Sequence, residues 1–339
     1  GVGNPDARSG QALSRRIGFS HRAARSVVLF ATVRSGEIEA THDVSIIAVD
    51  EAGREIRSWG DREVEFFYRS AIKPFQATAS LESGAKLAPE QLAVACASHG
   101  GYPIHLYLVE SILADAGLPK TTLQCPPAWP RDAQAKDLLI AAGHRHAQRL
   151  YHNCSGKHAG WLAACAAGDE PTATYLDPSH PLQLRIRALI EEVTGVGGDR
   201  VGVDGCGAPT LRGGLPGLAR AFSRLSTEPR FEQARLAMHR FPALVAANTL
   251  ADATFAAWWG GPVKVGAQGL IAAGRNGVGI AAKSHEGSVD IATAGIAEAA
   301  RQIGLLPAAA EEALNDVRRI PVLGGGRRVG SIQPIANGR

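Results

Sequence analysis

The chain has 339 residues, 45% apolar and 20% charged, with a net charge of +4. That length buries a sizeable core, and the apolar share is ordinary for a globular protein. So small a positive balance, with only 6% aromatics, excludes the basic, aromatic-interleaved surface of a nucleic-acid binder.

Residues 1–25 form an arginine-bearing lead-in (Arg8, Arg15, Arg16, Arg22 and Arg25) without the apolar stretch of a secretion signal. No run of about 18 apolar residues predicts a membrane span. Five cysteines, an odd number, predict reduced thiols and a cytoplasmic protein.

Folded structure is expected to begin with short β-branched runs at Val27–Val33, Val44–Val49 and Glu55–Trp59, punctuated by SGE and DEAG, hence an antiparallel meander. Apolar residues then recur at helical spacing near 70–83, 89–97, 104–117, 132–147, 155–167 and 180–194. A short strand in RVGVDGCGAPT enters a glycine turn, and helices follow near 216–225 and 229–239. PVKVGAQGLIAAG and GVGIAAKSHEG flank the turn RNG as a hairpin, and helices are expected near 289–303 and 307–317. Strands at both ends around a helical middle predict an α+β catalytic unit over 26–339. Its sheet comes from 26–60 and 262–292, with a helical lobe within about 85–240 and a cleft between them.

Ser70 and Lys73 in YRSAIKPFQA lie three apart at a helix start, on one face. A serine hydroxyl attacks only when a base takes its proton, and a lysine serves once burial or another cation lowers its pKa. Ser-x-x-Lys is the arrangement of penicillin-recognising enzymes, which also need a mid-chain polar element and a late-strand lysine followed by a hydroxyl residue. CASHGG supplies Ser98, and GIAAKSHEG supplies Lys283 and Ser284. In LYHNCSGKHAGW, Cys154, Lys157 and the distant Cys206 fit a zinc site and Cys154 with His152 or His158 fits a thiol nucleophile, while the residues alone favour a packed turn of small residues.

Six blocks in order (YRSAIKPFQATASLESGA, LAVACASHGG, LYHNCSGKHAG, YLDPSHPLQ, VGVDGCGAPT and VKVGAQGL) resemble the L-asparaginase II family, the rhizobial-type class 3 asparaginases. The resemblance covers about residues 27–300. It implies a serine-β-lactamase-like fold, a homodimer, and hydrolysis of L-asparagine to L-aspartate and ammonia. It makes Ser70 the nucleophile with Lys73, and pairs Ser98 with Lys283. It places zinc on Cys154, Lys157 and Cys206, tuning substrate binding and not performing the chemistry. It puts Arg69, His99, Gly100, Gly101, His158 and Asp204 at the substrate. The chain departs from the family pattern at Tyr102, at Pro126–Ala128 and at Thr249–Ala253, so a reshaped pocket is expected.

Overall fold

The computed structural model describes residues 28–246 and 251–335; the lead-in and the positions Thr249 and Leu250 lie outside them. An eight-stranded antiparallel sheet is built from β1 (Val28–Arg34), β2 (Glu37–Val49), β3 (Glu55–Trp59), β7 (Val263–Val265), β8 (Leu270–Arg275), β9 (Val278–Ser284), β10 (Ile320–Gly324) and β11 (Arg327–Pro334). Its order is β10-β11-β1-β2-β9-β8-β7, with β3 also paired to β2. A smaller sheet runs β4 (Glu65–Phe67), β6 (Pro209–Gly214), β5 (Val201–Val203).

Two expectations change here. The expected elements end with a helix near 307–317, yet Ile320–Pro334 forms a further hairpin through Gly325 and Gly326, both at positive φ. Its second strand pairs with β1, bringing the two ends of the described chain together. The expected helix over 132–147 ends at Ala141, because the chain turns through Gly143 at positive φ.

The helices that matter for the site are α1 (Lys73–Glu82), α2 (Pro89–Ala95), α3 (Pro103–Asp115), α4 (Ala133–Ala141), α5 (Ser155–Ala167), α6 (Pro181–Thr194), α7 (Leu215–Thr227), α8 (Glu232–Arg240), α9 (Ala251–Trp259) and α10 (Val289–Gln302). The strands divide their side chains by alternation. On β8, Leu270 and Ala272 join the core shared with α1, α5 and α7, while Ile271 and Ala273 join the core under α9 and α10. On β2, Ile47 and Val49 face the first core, and Ile46 and Ala48 the second. Helix α7 lies so close to β9 that a Cβ on Gly279 would meet Ala219 O at 1.9 Å. The site forms where the helical side of this sheet meets α1, α2 and α5.

Candidate active site

Ser70 sits in a single tight turn, Arg69–Ile72, at the entry to α1. The turn is tied to β6: Tyr68 N–H donates to Leu211 O at 2.9 Å and Arg69 N–H to Thr210 Oγ1 at 2.9 Å. Arg69 is held at φ +48°, a conformation a bulky residue adopts only when its surroundings impose it. The turn leaves Ser70 half-buried on the wall of a pocket of about 420 Å³. Arg69, Ser98, Arg131, His152, Cys154, Asp204, Cys206 and the Gly266–Gln268 loop line the same pocket.

One helical turn on, Lys73 is fully buried. Its Nζ donates to Ala97 O at 2.5 Å, Ser98 Oγ at 3.2 Å and Cys154 Sγ at 3.2 Å. No hydrogen bond joins it to Ser70 among the described residues. Ser98 follows α2, with its N–H on Val245 O at 3.0 Å.

A second amine reaches Ser98. Lys264 Nζ stands 3.0 Å from Ser98 Oγ and 3.2 Å from Val265 O, with the residue only 1% exposed. Burial, followed by the charge of Lys73, holds the Lys264 amine down to about 7, while Asp252 pulls the other way. The lysine expected on Ser98 was Lys283. Lys283 instead lies half-buried on β9 and donates to Ser284 O. The reason is the strand: β7 is the edge strand beside the helical lobe, and alternation that buries Val263 and Val265 in one core turns Lys264 to the other face. A lysine between two buried valines in VKVGAQG was the overlooked signal.

Cys154 caps α5 and Lys157 lies in its first turn. Cys206 stands in a turn closed by Gly207 N–H to Asp204 O and Asp204 N–H to Ala208 O, both 2.8 Å. Lys157 Nζ is 3.2 Å from Cys206 Sγ and 4.4 Å from the centre of the Trp161 ring. Helix α5 comes this close to α2 because Gly156 has no Cβ; one would lie 2.3 Å from Val94 O. The neighbouring Cys206, with the charges of Lys73 and Lys157, overcomes burial and holds Cys154 well below the ordinary thiol range. Cys206 is pushed up by Cys154 beside it and by burial. Burial alone would lower Lys157, but Cys206, Cys154 and Asp204 outweigh it and raise the amine. Two sulfurs and the Lys157 nitrogen lie together beside the pocket, a set that fits zinc only once a metal displaces the Lys157 proton. Cys165, Glu170 and His180 also cluster. There, however, His180 Nδ1 accepts from Leu182 N–H, its Nε2 donates to Pro171 O, and Glu170 pairs with Arg185, so these groups serve the α6 cap.

Arg69 Nε and Asp204 Oδ1 form an ion pair of 2.7 Å on the pocket wall. Four expected substrate contacts do not line the pocket. His99 is fully buried, with Nε2 on Ser155 Oγ at 2.9 Å, and His158 is buried against Tyr175 and Trp161, with Nδ1 2.7 Å from Tyr175 Oη. Gly100 and Gly101 are buried and off the pocket lining, and Gly101 at φ +89° admits Pro130, 2.7 Å from where a Cβ would stand.

A family model for L-asparaginase II matches residues 30–334. The chain belongs to the L-asparaginase II family. Membership suggests an amidohydrolase acting on asparagine, a small-molecule substrate. A comparison with curated protein sequences gives no significant match. Among solved structures, the crystal structure of Mglu is similar at 15% identity, covering 78% of this chain and 67% of that one, with a TM-score of 0.42. Its glutamate form is also 15% identical, covering 78% and 61%, with a TM-score of 0.42. Its native form in concentrated salt is 17% identical, covering 92% and 69%, with a TM-score of 0.44. No helix among the described residues is long and apolar enough to cross a membrane.

Proposed function

We propose that this member of the L-asparaginase II family hydrolyses the side-chain amide of L-asparagine, with Ser70 as nucleophile, in a serine-β-lactamase-like arrangement. One observation carries the reading: the Ser98 hydroxyl is held between two buried amines, at 3.2 Å from Lys73 and 3.0 Å from Lys264, in the pocket that contains Ser70. A hydroxyl so placed accepts a hydrogen bond from a charged amine and passes its own proton to a neutral one. Lys264, with its amine near 7, is the end acceptor of the row Lys73–Ser98–Lys264.

Ser70 Oγ attacks the amide carbon and gives its proton to Ser98 Oγ, which passes its own proton to the neutral Lys264 amine. The same row returns a proton to the departing nitrogen, so ammonia leaves and a β-aspartyl ester remains on Ser70. Water then hydrolyses the ester by the reverse transfer. Ser70 and Ala267 both line the pocket and their N–H groups have no acceptor among the described residues, which suits them to hold the developing oxyanion. Asp204 and Arg69, adjacent and of opposite charge, match the α-ammonium and α-carboxylate of an amino acid. Zinc on Cys154, Lys157 and Cys206 would supply positive charge beside the pocket and tune substrate affinity. All five cysteines are free thiols, which suits the reducing cytoplasm.

Ammonia release from asparagine, glutamine and asparaginyl peptides tests the reaction, and absence of release from all of them overturns it. A second reading makes Ser98 the nucleophile, because both lysines touch Ser98 and neither touches Ser70. Mass spectrometry of the acyl-enzyme in Ser70→Ala and Ser98→Ala decides between them. An aspartyl adduct surviving Ser70→Ala overturns the first.

A further inference from the structure

The pocket holds a cation that the hydrolysis of asparagine does not use. Arg131 lies on its wall, exposed, and has no hydrogen bond or ion pair among the described residues. Its backbone is well anchored. The neighbouring Pro130 packs on Gly101, and Asp132 N–H bonds Gly100 O at 3.3 Å, so Arg131 rises from a segment clamped to the turn that follows Ser98. Its charge is felt by two buried groups, Lys264 and Asp252, and one carboxylate oxygen of Asp252 has no partner among the described residues.

The pocket therefore has two polar ends. At one, beside Cys206 and β6, the ion pair Arg69–Asp204 can read an amino-acid head. At the other, on the Ser98 side, Arg131 offers a guanidinium fork. A volume of about 420 Å³ falls within the range of pockets that enclose ligands far larger than a four-carbon amino acid.

Resting on the asparagine amidohydrolase reading, we propose that the pocket also accepts β-aspartyl dipeptides, whose leaving amine is itself an amino acid, with Arg131 binding the carboxylate of that leaving group. The chemistry balances as it does for asparagine. Ser70 Oγ forms a bond to the β-carbonyl carbon, the C–N bond breaks, the row through Ser98 protonates the nitrogen, and a free amino acid departs. Water then cleaves the aspartyl ester, so no further reactant is needed. Arg131 is a specificity residue in this scheme: a bidentate guanidinium–carboxylate pair forms only when the leaving group carries a carboxylate.

The test compares asparagine, β-aspartylglycine and β-aspartylglycinamide, the last lacking the carboxylate. The wild-type protein should release glycine from β-aspartylglycine with a kcat/KM at least tenfold above that for the glycinamide, a difference of about 1.4 kcal/mol, carried mainly by KM. Arg131→Gln should collapse that ratio to near one, and Arg131→Lys should restore part of it. Arg131 is exposed, so the variant should fold, and an unchanged melting temperature checks this. Equal rates for the two dipeptide substrates, or a ratio that survives Arg131→Gln, overturn the inference. Release of ammonia from asparagine with no glycine from β-aspartylglycine overturns it alone. No ammonia from asparagine overturns the amidohydrolase reading and this inference with it.

Discussion

The two faces of the large sheet carry the same alternating backbone and opposite contents. The face under α9 and α10 is lined by Val44, Ile46, Trp59, Phe255, Val263, Ile271 and Ile291, all apolar and buried. The face toward α1, α2 and α5 buries Lys264 against Lys73, Ser98 and Cys154, among helices that would otherwise close a dry core. Burying an amine costs several kcal/mol unless it is neutralised or well bonded, and here both remedies operate. Lys73 has a carbonyl, a hydroxyl and a sulfur, and Lys264 has a lowered pKa. One strand, β7, contributes to both faces. Stability and chemistry are thus separated by a single step along the chain, and substitutions on either side of that step test the separation.

The largest effect is expected from Lys264→Met. It removes the proton acceptor on Ser98 while keeping the volume, so kcat should fall by about 10² to 10⁴. The melting temperature should hold or rise, because an amine held down by burial is replaced by an apolar chain. A variant that loses stability and keeps kcat would erase the contrast between the faces. On the opposite face, Ile271→Ala should cost about 2–5 kcal/mol in denaturant unfolding. Its activity per folded molecule should stay within a factor of about two to three, the reverse of the Lys264 outcome.

The pH dependence is expected to be milder and sharpens the Lys264 assignment. Above about 7 the amine is neutral, so kcat/KM should rise about tenfold per unit up to that pH and then level off. Stability moves the same way. The folded pKa lies below the ordinary 10.5, so between about 7 and 10.5 the unfolded chain binds a proton that the folded chain does not. Unfolding free energy from this group should increase across that window, and Lys264→Met should flatten both profiles. The smallest effect is expected from Cys206→Ser: weaker zinc retention by elemental analysis and a KM raised a few-fold, with kcat within about threefold. Loss of kcat by two orders of magnitude would move the sulfurs into the chemistry.

Much of the site was legible because it is local. Ser70 and Lys73 share a helix face by spacing alone, and Cys154 and Lys157 share the first turn of α5 in the same way. Lys264 was not legible as the partner of Ser98, because 166 residues separate them and two lysines stood on late strands of similar pattern. The same limit hid the helical-side burial of His158, whose neighbour Tyr175 lies on another segment.

By itself the sequence determined most helices and strands as far as about residue 317, and the family, through short-range patterns of residue type. The tertiary structure alone decided which lysine meets Ser98, that β11 closes on β1, and that Arg131 stands on the pocket wall. Periodicity assigns a side chain to a face. Which faces meet depends on the packing of distant segments, such as the approach of α5 to α2 that a missing Cβ at Gly156 permits.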